Sequence, residues 1–465
     1  MSFIECTTIQ SLFCEQLRRL ERLSALLFWS ALCAVSMLLA GFCRPVVAQT
    51  GSGQAQASSG GSLRLASWNL GWHVSTEELP DWIQACKLRY SRNQRSGIWE
   101  VSTQSDAVTG WQVSERRAKL AGVDLARMPP CGVYQDSRRQ GIAVTAAAWA
   151  KRNSQIQQLI ASKLNADVIA FQEVSGVLAV RQALGALADQ YTVCSFDGQY
   201  KVQRLAFAWK KEFGAAVEPC KVVHEMSLPN LPVEDQVRPG LTMALNIRGK
   251  RLRLMTVHLK SACVSSLEKG QLDTEDAGNP CSVLQRQIVP FESAFEKLGA
   301  GGTPFVVIGD FNRNLWHEDR ELAGSSPIRS DGTKNLAAPM PANVKTKNLW
   351  KEINDGQPPE SRAVLLPLKC VGSATSERIC DEAKAQLLDR KSLRELGSSE
   401  HMGCRNPVGL DQAIVSEGLA ASVRSAVKLP IGKFGGTLAA KPPGFPDPVL
   451  AVSDHCPMVL TLDWR

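Results

Sequence analysis

Polar residues that could do chemistry follow a short apolar run in the second half of the chain. Residues 305–308 are predicted to form a buried strand that stops at Gly309. Asp310 and Asn312 come next, separated by one residue, so in an extended backbone both side chains point to the same side. An acid and an amide at a strand end can build a site, but Gly, Asp and Asn are also common turn residues. This stretch alone leaves both interpretations open.

Further polar groups stand at the ends of other predicted strands. They are Asn69, Glu173, His258, Asp411, and the pair Asp454 and His455 in a turn before the last strand. Each one alone has an ordinary explanation as a turn or surface residue. Together, carboxylate and amide oxygens suit Mg²⁺ or Ca²⁺ rather than zinc, and two histidines suit a general base and a general acid. The set indicates metal-assisted attack of water on a phosphoester.

The apolar pattern between these residues predicts alternating strands and helices. Residues 149–164 place their apolar side chains on one helical face, and the chain then enters a buried strand at 166–173. A second helix is predicted over 284–298, and Pro290 limits where it can start. Residues 241–259 read as a hairpin around Arg-Gly-Lys. A strand, a helix and another strand in this order indicate an α/β fold.

The motifs resemble those of the endonuclease/exonuclease/phosphatase superfamily, which includes secreted DNase I-like nucleases. The matching stretches occur in order over residues 63–465, and they are Ser67-Trp-Asn69, Phe171-Gln-Glu173, Val257-His-Leu-Lys260, Gly309-Asp-Phe-Asn312, Leu410-Asp411 and Ser453-Asp-His455. Any one motif is weakly specific, but all six in this order are a strong signal. The resemblance implies an α/β (α+β) fold: a four-layer sandwich of two packed mixed β-sheets flanked by helices, with two long insertions.

The resemblance also implies a metal cofactor and its ligands. Glu173 is the expected principal metal ligand. Asn69 is expected near the metal and the phosphate, and Asp454 is expected to support the metal site. The implied cofactor is Mg²⁺, with Mn²⁺ and Ca²⁺ as alternatives. The implied partner is a phosphoester substrate, with nucleic acid expected first.

Five further residues receive catalytic roles from the same resemblance. His455 is the expected general base, oriented by Asp411, and His258 is expected to protonate or stabilise the leaving group. Asp310 and Asn312 are expected to orient the nucleophile and the phosphate.

One position departs from the family pattern. Secreted nucleases of this family place a glutamate near the position of Tyr200 and Lys201, where it pairs with the first catalytic histidine. Val202, Gln203 and Arg204 follow here, so this histidine is expected to lack an acidic partner.

The N-terminal 48 residues are predicted to be an export signal. Three arginines precede an uncharged apolar stretch at 23–43, and Val46-Val-Ala48 forms a small-residue cleavage site. A secreted or periplasmic protein without stable membrane association is therefore expected. The alternative is an uncleaved membrane anchor at 23–43, because that stretch is near the length that spans a bilayer.

Downstream of the signal, composition divides the chain into a linker and one large domain. Residues 49–62 are rich in Gly and Ser and are predicted to be a flexible linker. Residues 63–465 are the predicted catalytic domain, with insertions at 75–148 and 313–408. The first insertion carries mixed charge, so it is predicted to be a folded segment rather than a basic patch.

Net charge and cysteine content bear on three questions: nucleic acid binding, disulfide formation and zinc binding. The net charge of +8 permits an anionic substrate but does not by itself indicate nucleic acid binding. Signal cleavage leaves ten cysteines, and an even number in an exported chain suggests disulfides. Zinc is disfavoured because no CxxC pair occurs and the chain has six histidines. Local candidate pairs are Cys86–Cys131, Cys194–Cys220, Cys263–Cys281 and Cys370–Cys380, although sequence does not establish the connectivity.

The sequence therefore predicts an exported, metal-dependent phosphodiesterase, most simply a nuclease. One alternative keeps the chemistry and changes the substrate: a phosphomonoesterase or a phospholipase C-type enzyme acting on inositol phosphates, sugar phosphates or sphingomyelin. A second alternative is an inactive relative that serves as a surface binding module.

Overall fold

The computed structural model describes most of the chain downstream of the predicted export signal. The described residues are 61–115, 118–197, 202–232, 235–263, 276, 278–322, 347–382, 388–434, 439–440 and 444–465. The predicted signal, nearly all of the predicted linker and parts of both predicted insertions lie outside these ranges. Within them, no helix is both long enough and apolar enough to cross a membrane.

Two large sheets form the centre of the molecule. The strands, in chain order, are β1 (Ser62–His73), β2 (Arg89–Arg92), β3 (Trp99–Val101), β4 (Val108–Thr109), β5 (Val168–Val174), β6 (Tyr191–Ser195), β7 (Arg204–Lys210), β8 (Glu218–Val223), β9 (Gly240–Ile247), β10 (Lys250–His258), β11 (Phe305–Asp310), β12 (Ala363–Leu365), β13 (Lys369–Cys370), β14 (Asp411–Ser416), β15 (Val423–Lys428) and β16 (Met458–Asp463). Sheet A has the order β13-β15-β16-β1-β5-β7-β6, and sheet B has the order β12-β14-β11-β10-β9-β8. Strands β3-β2-β4 form a small third sheet within the first predicted insertion.

Helices cover the outer faces of both sheets. The α-helices are α1 (Leu79–Lys87), α2 (Ala146–Leu159), α3 (Val177–Leu184), α4 (Pro280–Gly299), α5 (Leu315–Leu322), α6 (Leu349–Ile353), α7 (Ala374–Glu382), α8 (Arg390–Leu396) and α9 (Glu417–Ala420). One apolar cluster joins α2 and α3 to sheet A, a second lies between the sheets, and a third joins α4 to sheet B. The predicted four-layer sandwich of two mixed sheets flanked by helices is confirmed.

Strand β11 shows why the central apolar run is continuous rather than alternating. Val306 and Ile308 pack between the two sheets, while Phe305 and Val307 pack on the opposite face beneath α4. All four side chains are buried, because both faces of the strand are covered. The predicted buried strand is confirmed, and it extends to Asp310.

The prediction for the start of helix α4 was wrong. The helix begins at Pro280, where the side chain of Asn279 accepts hydrogen bonds from two backbone N–H groups, and Pro290 lies inside it. An internal proline costs about 3 kcal/mol. Phe291 and Phe295 are completely buried on the same helix, and each such burial contributes about 1.5–3 kcal/mol. The packing therefore offsets the lost backbone hydrogen bond.

The predicted insertions differ in how they meet the core. In the first, Trp82 contacts Trp111 and Trp149 edge-on, with ring centroids 5.6 Å apart in each pair. The second contributes strands to both sheets, since β12 pairs with β14 and β13 pairs with β15. Residues 363–370 are thus edge strands of the sandwich rather than a peripheral addition.

Five disulfides join all ten of the cysteines expected after signal cleavage. The four local candidate pairs are all formed. The fifth disulfide, Cys404–Cys456, spans 52 residues and joins the second insertion to the segment after His455.

Candidate active site

The predicted site residues meet at one edge of the seam between sheet A and sheet B. In sheet A, parallel pairing of β1 and β5 sets Asn69 beside Gln172. In sheet B, parallel pairing of β10 and β11 sets His258 beside Asp310, and antiparallel pairing places Asp310 opposite Asp411. The carboxyl ends of four strands and the start of a fifth therefore deliver polar side chains to one place.

Three residues at this edge have left-handed backbone conformations that non-glycine residues rarely adopt. The φ angles are +55° at Trp72, +58° at Glu173 and +51° at Asn312. Asp310 and Asn312 do face the same site, with Asn312 Nδ2 3.3 Å from Asp310 Oδ2. The predicted reason was wrong, because Asn312 reaches that position through a turn rather than an extended backbone. Strained residues of this kind cluster at functional sites.

Asn69 and His258 connect the carboxylates of Glu173 and Asp310. The Asn69 side-chain amide donates to Glu173 Oε1 at 3.3 Å and to Asp310 Oδ2 at 3.0 Å. His258 Nε2 lies 3.5 Å from the same two oxygens. One carboxylate comes from sheet A and the other from sheet B, so this cluster exists only because the sheets pack together.

His455 and Asp411 form a hydrogen-bonded pair at the other side of the cluster. His455 Nδ1 lies 3.2 Å and 3.0 Å from the two oxygens of Asp411. The other ring nitrogen, Nε2, faces Asp310 Oδ2 at 3.7 Å and Asp454 Oδ1 at 4.0 Å. The Trp68 indole N–H donates to the His455 carbonyl at 3.0 Å and anchors the backbone. This geometry leaves Nε2 directed toward the acidic centre of the site.

The two histidines have opposite electrostatic surroundings. Burial, reinforced by Arg238 and His455, lowers the pKa of His258 well below its usual value. Burial alone would also lower the pKa of His455, but Asp411, Asp310 and Asp454 raise it to about 10. Without a metal ion, His258 is therefore neutral at pH 7 and His455 is an imidazolium.

The carboxylates at the centre repel one another. Burial and the nearby Asp454 raise the pKa of Glu173, and burial raises the pKa of Asp310 to about 6 against the lowering effect of His455. Buried acids with raised pKa values bind a divalent cation favourably, because the cation replaces the protons that they would otherwise retain.

Two separate sets of residues are candidates to hold a metal ion. Asp310, Asp411 and His455 each offer a ligand atom, and these atoms lie within 4.8 Å of one another. In that set, Asp411 and one His455 nitrogen are already joined by a hydrogen bond. In the predicted set of Asn69, Glu173 and Asp454, the two carboxylates offer hard oxygen atoms, which Mg²⁺ prefers. The Asn69 oxygen accepts from the Gly71 N–H, and its amide nitrogen faces the carboxylates. The donor chemistry therefore fits a hard divalent cation at this cluster.

The structure adds three site residues that the sequence reasoning missed. The buried Arg238 guanidinium donates from Nε to the His258 carbonyl at 3.1 Å. Asn406 Nδ2 lies 3.1 Å from Asp454 Oδ2 and 3.2 Å from His455 Nε2. Lys428 Nζ donates to Asp411 Oδ2 at 2.7 Å. None of the three lies in a sequence motif, and β15, which ends at Lys428, is not a continuous apolar run.

His258 Nε2 faces two carboxylates, so the acidic partner that was expected to be absent could only be a partner of Nδ1. Within the described ranges, His258 Nδ1 is buried and has no hydrogen-bond partner. Residues 200 and 201, where the family pattern places a glutamate, lie outside those ranges.

Sequence and structure comparisons relate the chain to known proteins. A family described as "Endonuclease/Exonuclease/phosphatase family" matches residues 138–455, a stretch that contains Glu173 and His455 but not Asn69. No curated protein matches the chain by sequence. A protein of the same family from Bacteroides thetaiotaomicron has 11% identity over 87% of this chain and 98% of that chain, with a TM-score of 0.41.

Two other solved structures show a similar level of likeness. The human Nocturnin catalytic domain with bound sulfate anion has 13% identity over 71% of this chain and 92% of that chain, with a TM-score of 0.37. Beta toxin from Staphylococcus aureus has 12% identity over 86% of this chain and 99% of that chain, with a TM-score of 0.37.

Proposed function

The chain belongs to the endonuclease/exonuclease/phosphatase family, and from this premise we propose that it is an exported, Mg²⁺-dependent phosphodiesterase that cleaves nucleic acid. The family is one of metal-dependent phosphoester hydrolases. The observation that carries the proposal is the His455–Asp411 pair, whose second imidazole nitrogen lies 3.7 Å from the buried carboxylate of Asp310. This is the arrangement needed to activate water beside a bound metal.

His455 is the proposed general base. Asp411 accepts from Nδ1 and orients the ring, which leaves Nε2 for the proton of the attacking water. Glu173, Asn69 and Asp454 are the residues that would hold the metal ion. A bound cation would offset the carboxylate charge that keeps His455 protonated, and it would supply a Lewis acid for the phosphate.

His258 is proposed to stabilise the leaving side as a neutral imidazole. Its Nε2 faces two carboxylate oxygens at 3.5 Å, so this nitrogen carries the ring proton. A neutral ring donates a hydrogen bond from Nε2. Its low pKa disfavours the additional proton that a general acid would have to carry. Asp310 and Asn312 are proposed to orient the phosphate and the attacking water at the same edge.

A direct test uses the mature protein, residues 49–465, with plasmid DNA, RNA and a panel of phosphomonoesters, in Mg²⁺ and in EDTA. We expect nicking of DNA that EDTA abolishes and that His455→Ala lowers by roughly 10²–10⁴-fold. His401→Ala, outside the site, is the matched control. Phosphate release without nicking would keep the site and favour the phosphomonoesterase alternative. If neither nicking nor phosphate release is detected, lipid headgroups are the next substrates to test. No hydrolysis of those either would favour the binding-module alternative.

Export is proposed from two independent features. The predicted signal precedes Gln49, and the ten cysteines that remain are all disulfide-bonded, which requires an oxidising compartment. N-terminal sequencing of the protein recovered from an exporting host should begin at Gln49. Recovery of an uncleaved protein in the membrane fraction would favour the anchor alternative.

A further inference from the structure

Lys428 is a fully buried lysine at the end of β15 in sheet A. Its backbone lies inside the sheet, paired with Cys370 on one side and Met458 on the other. Its side chain crosses the seam to sheet B, where Nζ donates to Asp411 Oδ2 at 2.7 Å. Desolvating an ammonium group costs several kcal/mol, so an apolar side chain would usually serve a purely structural position better.

The Asp411 carboxylate lies between Lys428 and His455. His455 Nδ1 contacts both carboxylate oxygens, at 3.2 Å and 3.0 Å, while the ammonium group contacts Oδ2. Two donors, one at the end of β15 and one in the turn before β16, restrict rotation of the carboxylate. Because Lys428 Nζ donates to the carboxylate, Asp411 is held as an acceptor toward the imidazole.

The orientation of His455 needs such a restraint because both of its nitrogens have polar neighbours. Nδ1 faces Asp411, while Nε2 has the Asn406 amide at 3.2 Å as well as an acid nearby. Nε2 lies 3.7 Å from Asp310 Oδ2, so a ring that turned or exchanged its proton would donate from Nε2 to Asp310 instead. That arrangement would leave no free lone pair for the attacking water. A rigid acceptor at Nδ1 prevents it.

We propose that Lys428 is a positioning residue which, through Asp411, holds the His455 ring with Nε2 available to the substrate water. This inference rests on the proposed function and deepens it. The base unit of the enzyme is then a chain of three residues, Lys428, Asp411 and His455, that spans both sheets.

The kinetic test compares Lys428→Met, Asp411→Asn and the double variant on the substrate that the wild-type protein hydrolyses. A charge-assisted hydrogen bond supports a fall in kcat of roughly tenfold or more for Lys428→Met, with KM changed less than about twofold. Because Lys428 acts through Asp411, adding Lys428→Met to Asp411→Asn should change kcat by less than about twofold. A full additional loss in the double variant would overturn the proposal.

Lys210→Met provides the matched control. Lys210, also in sheet A but away from the site, pairs with Asp167 at 2.8 Å, although its side chain is partly exposed. It should leave kcat unchanged. An equal fall in kcat in both lysine variants would show a general loss of stability rather than a positioning role.

A spectroscopic readout separates this inference from the proposed function. In protein labelled with ¹⁵N-histidine, the Nδ1–H proton of His455 should be downfield and protected, with His455→Gln used for assignment. The signal should be lost in Lys428→Met and retained in Lys210→Met, whether or not a substrate is known. An unchanged signal in folded Lys428→Met overturns the inference, while an inactive wild-type protein overturns only the proposed function.

Two replacement variants can be used with the same readout if Lys428→Met does not fold. Lys428→Gln keeps a neutral donor at this position. The double variant of Lys428→Met and Asp411→Asn removes both buried charges together, which proteins often tolerate. The signal should be weakened in folded Lys428→Gln. A signal there as strong and protected as in the wild type would contradict the proposal.

Discussion

At the scale of single residues, the two site histidines show how surroundings assign roles to identical side chains. His258 lies near the buried guanidinium of Arg238, which opposes a second positive charge. His455 lies among three carboxylates, which favour a positive charge on its ring. Environments that push two pKa values apart are typical of sites that move protons.

Glu173→Gln tests the metal site at this scale. The change keeps the size of the side chain and removes the charge that the metal ion requires, so Mg²⁺ should no longer raise the melting temperature. Hydrolysis should fall by about 10²-fold or more. Differential scanning calorimetry with and without Mg²⁺ provides the measurement, with the exposed Glu417→Gln as control. An undiminished Mg²⁺ shift would exclude Glu173 as a principal ligand.

Asn406→Ala tests the contact with the proposed base. The side-chain amide joins Asp454 to His455 Nε2, while the Asn406 backbone N–H donates separately to the Asp454 carbonyl at 2.8 Å. Removing only the amide should lower kcat roughly 3- to 30-fold and reduce stability by about 1 kcal/mol or less. Steady-state kinetics and urea unfolding measure both effects. Unchanged kcat would mean that the amide has no part in the reaction.

At the scale of elements, one buried arginine connects a helix to the two segments that flank the site. Arg152, on α2, donates to the Ala451 carbonyl at 2.9 Å and the Val452 carbonyl at 2.7 Å. It also bonds the Leu70 and Gly71 carbonyls at the end of β1. Arg152 thus ties the strand that carries Asn69 to the loop that leads to His455.

Arg152→Met should therefore destabilise the protein far more than loss of an exposed arginine. Each buried carbonyl left without a donor costs about 1–3 kcal/mol, and partial relaxation leaves an expected loss of about 3–5 kcal/mol. Arg181→Met, which breaks an exposed pair with Asp189, should cost less than about 1 kcal/mol. Urea unfolding monitored by tryptophan fluorescence measures both. Equal effects would contradict the assigned role.

At the scale of the whole molecule, disulfides link segments that the sheets alone do not hold. Three of them close loops of 18, 26 and 45 residues, and Cys404–Cys456 closes one of 52. Each such link contributes about 2–4 kcal/mol, and a folded domain retains a net stability of only about 5–15 kcal/mol.

Full reduction should accordingly unfold the protein near 37 °C. The melting temperature measured in a strong reductant should fall well below that of the oxidised protein, and thiol labelling should rise from zero to ten groups in the mature chain. Hydrolysis should disappear in parallel, because the site residues come together only where the two sheets pack. A reduced protein with an unchanged melting temperature would show that the sandwich is stable without its disulfides.

The sequence was sufficient for the features that local pattern encodes. Apolar runs located β5, β10 and β11, and the order of the six motifs identified the family and the two-sheet sandwich. The positions of the cysteines within single segments also suggested four of the five disulfides. Local pattern failed at Pro290, because the buried face of α4 outweighs the local cost of proline.

Side-chain contacts between distant segments were decided by the tertiary structure alone. Arg238, Asn406 and Lys428 lie in segments with no motif, and Lys428 reaches Asp411 only where sheet A packs against sheet B. By itself the sequence determined which residues could do chemistry and which strands carry them. The packing of the two sheets decided which acids surround each histidine, because burial and charge act through space, whatever the separation along the chain.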